Sequence, residues 1–271
     1  MPLRRLLGLF FVPFFGTDIL KNAIFCLILF YLKTETDEQM KMKKILTVGR
    51  ALLLAVLLIG SMPTDSLAQN RSDLRASISE WGRCRTVAIT RSKGDVAICE
   101  NATYAFNGTM IGLFNRIKEL YNQDTYISDV QAAEDGSWLL LYGDNEVQWK
   151  GIPASLEKTL NDFKAAGDVI SLVTFNSKGE WIAVTNNQIS ASHNHLAELL
   201  TAGMDECGEL LAACVSEECT VLRFEGGIRT AGNPPADLIE TLQTTEMDVR
   251  CIKISYDCWF IAGPGSYQYS M

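Results

Sequence analysis

Short apolar and β-branched runs alternate along residues 84–271 with tight-turn signals and then with stretches of helical periodicity. Thr86–Thr90 faces Val96–Cys99 across Lys93-Gly94-Asp95, Ile127–Ala132 faces Trp138–Tyr142 across Asp135-Gly136-Ser137, and Ile170–Phe175 faces Trp181–Thr185 across Lys178-Gly179-Glu180. Leu211–Val215 and Thr220–Phe224 flank Glu217-Glu218, and Cys251–Ser255 and Trp259–Ala262 flank Tyr256-Asp257. Such pairs of short runs joined by Gly and charged residues predict β-hairpins, where Gly takes positive φ without steric cost. A third short strand is expected after each hairpin, clearest at Asn145–Trp149.

Helices follow the strands. Leu113, Ile117 and Leu120 fall on one helical face, as do Leu156, Leu160 and Phe163. Pro153 opens a predicted helix over Ala154–Ala166, and Pro234-Pro235 opens one over Ala236–Thr244. Proline suits a helix entry because the N–H it lacks would be unpaired there. Asn107 and Asn194 are the expected N-caps of their helices, and Gly167 the expected C-terminal stop.

The glycines of the first three turns recur at intervals of 42 and 43 residues, and the two later turns continue the series. The distance from a helix leucine to the following strand is 17 residues for Leu113–Val130, Leu156–Val173 and Leu196–Ala213, and 16 for Leu238–Ile254. A period of this size marks a repeat architecture. The expected fold is an α+β repeat of five ββ(β)α units closed into a propeller-like ring. The units run over about 84–126, 127–169, 170–210, 211–250, and 251–271 together with 70–83. The last unit ends without a helix, while Leu74, Ile78 and Trp81 predict a spare helix before the first. Joining the two ends hides sheet edges and apolar helix faces that an open stack exposes.

Five units of three strands and one helix resemble, in topology, the five-fold α/β-propeller of the penteins, a family of guanidine-modifying enzymes and non-enzymatic members. The resemblance implies a central channel, in which the enzymatic members work with a Cys nucleophile, a His and acidic guanidine-binding residues. No motif of that set aligns with this chain residue by residue, so the resemblance extends to architecture and not to activity.

The N-terminal segment reads differently from the repeats. Met40–Lys44 is basic, Ile45–Ile59 is mostly apolar, and Ser66-Leu67-Ala68 supplies small residues, which together predict a secretory signal peptide over 40–68, cleaved after Ala68. Residues 1–39 are read as an upstream extension, with Met40 or Met42 as the initiator. A membrane anchor is the competing reading, but Leu6–Phe15 and Ala23–Leu32 are each half the length of about 20 residues that crosses a bilayer. The expected location is secreted or periplasmic, with no membrane association after cleavage.

Composition narrows the function without naming it. The net charge of −8 becomes −11 over residues 69–271, the single repeat domain. That excludes a nucleic-acid partner, which needs clustered Lys and Arg. No P-loop, G-x-G-x-x-G, G-x-S-x-G or H-E-x-x-H occurs, and no cofactor is implied.

Six cysteines bracket the hairpin turns in pairs: Cys84 and Cys99, Cys214 and Cys219, Cys251 and Cys258, with Cys207 left over. In an oxidising compartment they are candidate cross-hairpin disulfides, with pairing between neighbouring units as the alternative. His193 and His195 are the two histidines. They read either as a polar helix entry or as part of a metal site for which no further ligand is apparent. A hydrolase or transferase reading would take Cys258 as nucleophile and His195 as base.

Trp138, Trp181 and Trp259 share one repeat position, and Phe106, Trp149 and Tyr269 another. Periodic aromatics of this kind fill equivalent core slots, or else form a ring presented to a ligand. The excess acids, among them Asp129, Glu134, Asp135, Glu217 and Glu218, lack a Ca²⁺-loop pattern and read as solvated. Asn70, Asn101 and Asn107 stand in glycosylation sequons. The functional expectation is an exported, non-catalytic binding or structural module for a protein or a surface glycan. A pentein-like enzyme and a small extracellular metal-binding protein are the alternatives.

Overall fold

The computed structural model describes residues 74–99 and 104–271. The predicted signal peptide with its cleavage point, the residues before it, and the sequons at Asn70 and Asn101 lie outside the described residues. No helix among the described residues is long and apolar enough to cross a membrane.

Helix α1 covers residues 74–81. Five strand triplets follow: β1 (Cys84–Ile89), β2 (Gly94–Cys99), β3 (Tyr104–Gly108); β4 (Ile127–Ala132), β5 (Trp138–Tyr142), β6 (Glu146–Lys150); β7 (Ile170–Phe175), β8 (Trp181–Thr185), β9 (Ile189–Ala191); β10 (Leu210–Val215), β11 (Cys219–Phe224), β12 (Gly227–Gly232); and β13 (Cys251–Ser255), β14 (Cys258–Gly263), β15 (Ser266–Ser270). The first four triplets are each followed by a helix: α2 (Ile111–Asn122), α3 (Ala154–Ala166), α4 (Asn194–Cys207) and α5 (Ala236–Thr244). Each triplet is a separate antiparallel sheet in sequential order.

The third strand, weakly signalled in sequence, is present in every unit. Helix starts differ from expectation. Asn107 lies in β3 opposite Asp95, and α2 starts four residues later, after Met110. Asn194 is the first residue of α4, and His193 precedes it in extended conformation without a side-chain capping bond. Gly167 does end α3, at φ 78°. Gly94 is required twice over: its φ is 109°, and a Cβ there would come within 2.4 Å of the Cα of its cross-strand partner Gly108. The fifth turn has no Gly, and Tyr256 takes the left-handed conformation instead, at φ 57°.

No triplet buries its apolar face alone. The apolar residues gather into five clusters: four draw on two consecutive units and the helix between them, and the fifth on α1 with the first and last units. Leu113, Ile117 and Leu120 of α2 pack between the sheets carrying Val96 and Leu140. Leu156, Leu160 and Phe163 of α3 pack between those carrying Leu139 and Phe175. Leu196 and Leu200 of α4 join Ile182 to Leu222, and Leu238 and Leu242 of α5 join Val221 to Ile261. Leu74 and Ile78 of α1 join Val87 and Ala97 of the first unit to Phe260 and Ala262 of the last. Burying a side chain of this size contributes about 1.5–3 kcal/mol, so the stability resides between units.

The first strands approach one another. β1 lies against β4, β4 against β7, β7 against β10, β10 against β13, and β13 against β1. Turns are linked at one repeat position. Glu134 accepts hydrogen bonds from the backbone N–H groups of Arg91 and Ser92 in the preceding turn, and Glu217 accepts one from Ser177 N at 2.8 Å.

Candidate functional site

Strand register shows what faces the space between the first strands. The pairs Ile89–Asp95, Ala132–Trp138, Phe175–Trp181, Val215–Thr220 and Ile254–Trp259 align the five units. One position earlier stand Ala88, Gln131, Thr174, Cys214 and Lys253, all buried. Two residues before these come Thr86, Asp129, Leu172, Ala212 and Cys251, and two after them come Thr90, Ala133, Asn176, Ser216 and Ser255. Alternate residues of a strand share a face, so each unit contributes one side chain to each of three layers.

The layers are joined by a polar network. Lys253 Nζ lies 2.8 Å from the Asp129 carboxylate and donates to Gln131 Oε1 at 3.0 Å. Thr86 Oγ1 donates to Asp129 Oδ1 at 2.5 Å, and Gln131 Nε2 to the Phe175 carbonyl at 3.3 Å. Val215 N donates to Thr174 Oγ1 at 2.8 Å. A buried ion pair is tolerable only when further hydrogen bonds satisfy both partners, and here they do. Burial by itself would lower the Lys253 pKa. The Asp129 carboxylate, with Cys251 and Cys214 nearby, more than offsets it, and the net shift is upward.

Above the network opens a cavity of about 510 Å³ lined by Arg85, Ser128, Asp129, Ser171, Arg250, Cys251 and Lys253 among others. Its shape follows from backbone irregularity. The register slips between Cys84 and Thr86, Ile127 and Asp129, Ile170 and Leu172, and Leu210 and Ala212. The extra residues of the first three slips are Arg85, Ser128 and Ser171, all of which line the cavity. Bulges re-aim side chains in this way.

Arg85 is held firmly: it donates to the carbonyls of Ile127 and Cys99, and its guanidinium stacks 3.8 Å from the centroid of the Tyr126 ring. Arg250 pairs with Asp248 at 2.9 Å. The lining therefore carries more cationic than anionic groups, although the chain as a whole is acidic.

None of the seven described cysteines is joined in a disulfide, which corrects the expected cross-hairpin bridges. Register gives part of the reason. Cys251 stands opposite Ala262 and Cys258 opposite Ser255, at different rungs of the hairpin. Cys214 stands opposite Val221, and Cys219 Sγ instead meets Ser216 Oγ at 3.4 Å. Cys84 and Cys99 are direct cross-strand partners, but Cys99 Sγ is turned to the Arg83 carbonyl at 2.6 Å.

Only Cys251 of these lines the large cavity. Burial pushes its thiol up to about 11, and Asp129 adds to the shift while Lys253 and Thr86 act against it. A thiol so shifted is protonated at neutral pH, and the thiolate is the nucleophile.

The remaining candidates lie elsewhere. Cys258 is buried in β14 with Sγ 3.8 Å from Asp257 Oδ1. His195 is the second residue of α4, more than half exposed, with Nε2 3.4 Å from Glu180 Oε1. His193 Nδ1 lies 2.7 Å from Ser192 Oγ, and the two imidazole centroids are 5.7 Å apart. No group of three or more His, Cys, Asp or Glu side chains able to hold a metal occurs among the described residues. Trp138, Trp181 and Trp259 are core residues, each about 95% buried.

Sequence reasoning passed over Lys253, Arg85 and Arg250. The signal for Lys253 was present: a cation in the middle of Cys251-Ile252-Lys253-Ile254, at the repeat position of Gln131, Thr174 and Cys214. For Arg85 there was none, because the bulge that turns it into the cavity leaves no mark in the pattern. No protein-family model matches the chain, and no curated protein matches it significantly.

Proposed function

We propose that residues 69–271 form an exported, non-catalytic binding domain, built as a closed ring of five units in which α1 supplies the helix of the last. The partner, a protein or a surface glycan, docks at the cavity ringed by Arg85, Ser128, Ser171 and Arg250. The shared cluster of Leu74, Ile78, Phe260 and Ala262 and the approach of β13 to β1 support closure.

One observation carries the non-catalytic part of the reading. The charged groups of the interior are spent on each other, Lys253 on Asp129 and Gln131, and the one thiol at the cavity is Cys251 with a raised pKa. Neither histidine is among the residues lining that cavity. A covalent mechanism needs a nucleophile activated by a nearby base or a lowered pKa. A binding mouth needs only fixed polar groups around a concavity, which the stacked Arg85 and the bulged serines provide.

The test is a titration of the ¹⁵N-labelled protein with a panel of surface oligosaccharides and acidic or basic peptides. Saturable shifts centred on Tyr126, Ser128, Ser171 and Arg250, weakened in Arg85→Ala, are expected from at least one class. Shifts confined to other faces would overturn the docking site. Turnover of guanidine or ester compounds abolished by Cys251→Ala or Cys258→Ala would overturn the non-catalytic reading.

A further inference from the structure

The repeat has a gap at one helix entry. Trp181 and Trp259 each donate their indole N–H to a side-chain oxygen on the second residue of the helix packed against them: to Ser155 Oγ on α3 at 2.9 Å, and to Asp237 Oδ2 on α5 at 2.9 Å. The equivalent of these two residues on α2 is Gly112. Trp138 is about 95% buried, yet its Nε1 has no hydrogen-bond partner among the described residues. A Cβ at Gly112 would stand 3.9 Å from that nitrogen, so the missing side chain is what leaves the donor open. The nitrogen is not sealed from solvent, since the enclosed side-chain nitrogens and oxygens without a partner among the described residues are those of Arg116, Glu218 and Arg223, so its N–H is open to a ligand oxygen in place of water.

That donor opens into a separate cavity of about 300 Å³ at the N-terminus of α2. Helix α2 has no side-chain cap and no acidic residue in its first turn, unlike α3 with Glu157 and α5 with Asp237. Its first i→i−4 bond runs from Phe114 N to the Met110 carbonyl, which leaves the amides of Gly112 and Leu113 open at the helix entry. Helix entries of this kind favour anions through the unpaired N–H groups and the dipole.

Two lysines border the cavity, Lys93 from the first unit and Lys150 from the second, and neither forms an ion pair among the described residues. The Lys93 methylenes lie against Gly136, where a Cβ would meet them at 3.7–3.8 Å. One carboxylate is also present, Asp135, and its Oδ1 is occupied by Ser137 N and Oγ at 2.8 and 2.6 Å.

We propose that this pocket binds a tetrahedral oxyanion, the phosphate or sulfate group of a small molecule, between the Trp138 indole N–H, the first-turn amides of α2 and the ammonium groups of Lys93 and Lys150. The site is independent of the mouth at Arg85 and stands whether or not that mouth binds a partner.

The experiment follows the five tryptophan indole N–H signals of the ¹⁵N-labelled full chain during titration with inorganic phosphate, sulfate, a sugar phosphomonoester and acetate at constant ionic strength. Trp138→Phe identifies the relevant signal. That signal is expected to shift and saturate in the millimolar range or below with phosphate or sulfate. Tighter binding of the monoester would assign the rest of the cavity to its organic part; equal binding would assign the free ion. Gly112→Ser restores the oxygen found at Ser155 and is expected to weaken binding by about tenfold or more. Lys93→Met with Lys150→Met serves as a second variant with the same expectation. Absence of a saturable shift, unchanged affinity in both variants, or equal binding of acetate would overturn the proposal.

Discussion

Lys253 in the fifth unit forms its ion pair with Asp129 in the second, 124 positions away and across the strand of the first unit that carries Thr86. The bond therefore ties units that are not consecutive in the chain. Lys253 is about 93% buried, so removing one charge leaves the other uncompensated. Asp129→Asn and Lys253→Met are each expected to cost about 3–5 kcal/mol. The double variant Asp129→Leu with Lys253→Met is expected to regain most of that. Urea unfolding of the three variants checks it, and single losses under about 1 kcal/mol would mean that the pair is solvated.

Buried thiols make the protein sensitive to alkali. Burial raises Cys214 to about 12, with Cys219 adding and Lys253 opposing, and Cys251 rises to about 11. The unfolded chain ionises these thiols near their ordinary value, so above it the unfolded state holds fewer protons than the folded one. Stability is then fully present below about pH 8.5 and falls as pH rises toward the folded values, by about 1.4 kcal/mol per pH unit for each thiol concerned. Lys253, also shifted upward, adds to the loss only above its own ordinary value near pH 10.4. Denaturant titrations between pH 8 and 10.5 under reducing conditions are expected to show the decline, and Cys214→Val to flatten it.

Free thiols also give a count. Cys207 and Cys251 are half-buried, whereas Cys84, Cys99, Cys214, Cys219 and Cys258 are buried. In a Cys26→Ser background, Ellman's reagent is expected to react first with Cys207 in the native protein, slowly with Cys251, whose thiol burial keeps protonated, and with all seven after unfolding. An unfolded count that rises only after reduction would restore the cross-hairpin disulfides.

The repeat was legible because its carriers are local. Turn glycines, helix leucines and the tryptophans recur at fixed spacing, and α3 and α5 match their predicted bounds to the residue. What failed depends on the third dimension. Asn107 looks like a cap but pairs in β3, because the strand runs up to Gly108 before the chain turns. The cysteine pairs looked like bridges because hairpin position was visible and register was not. The interior network was hidden for a related reason: equivalent positions hold Ala88, Gln131, Thr174, Cys214 and Lys253, chemically unlike residues that share only a place.

Gly203 in α4 is set by a neighbour. A Cβ there would fall 2.1 Å from Phe224 Cζ, and Phe224 is fully buried. In a free helix Gly→Ala gains about 1 kcal/mol. Here the clash is expected to win, because overpacking a tight core costs about 1–3 kcal/mol. Gly203→Ala should lower the unfolding midpoint, and Gly203→Ala with Phe224→Leu should recover part of it.

Ring closure makes a quantitative prediction at the chain's two ends. Ile78 in α1 is fully buried and shares its cluster with Phe260 of the last unit, as Leu156 in α3 shares one with Phe175. If α1 completes the fifth unit, Ile78→Ala should cost as much as Leu156→Ala, about 2–5 kcal/mol each. In an open stack α1 would be a terminal helix that frays, and terminal segments open locally at little free-energy cost. A double-mutant cycle of Ile78→Ala with Phe260→Leu separates the two arrangements. Closure requires a coupling of about 0.5–3 kcal/mol between residues 182 positions apart. Additive losses, or an Ile78→Ala variant as stable as the parent, would show the ends to be independent.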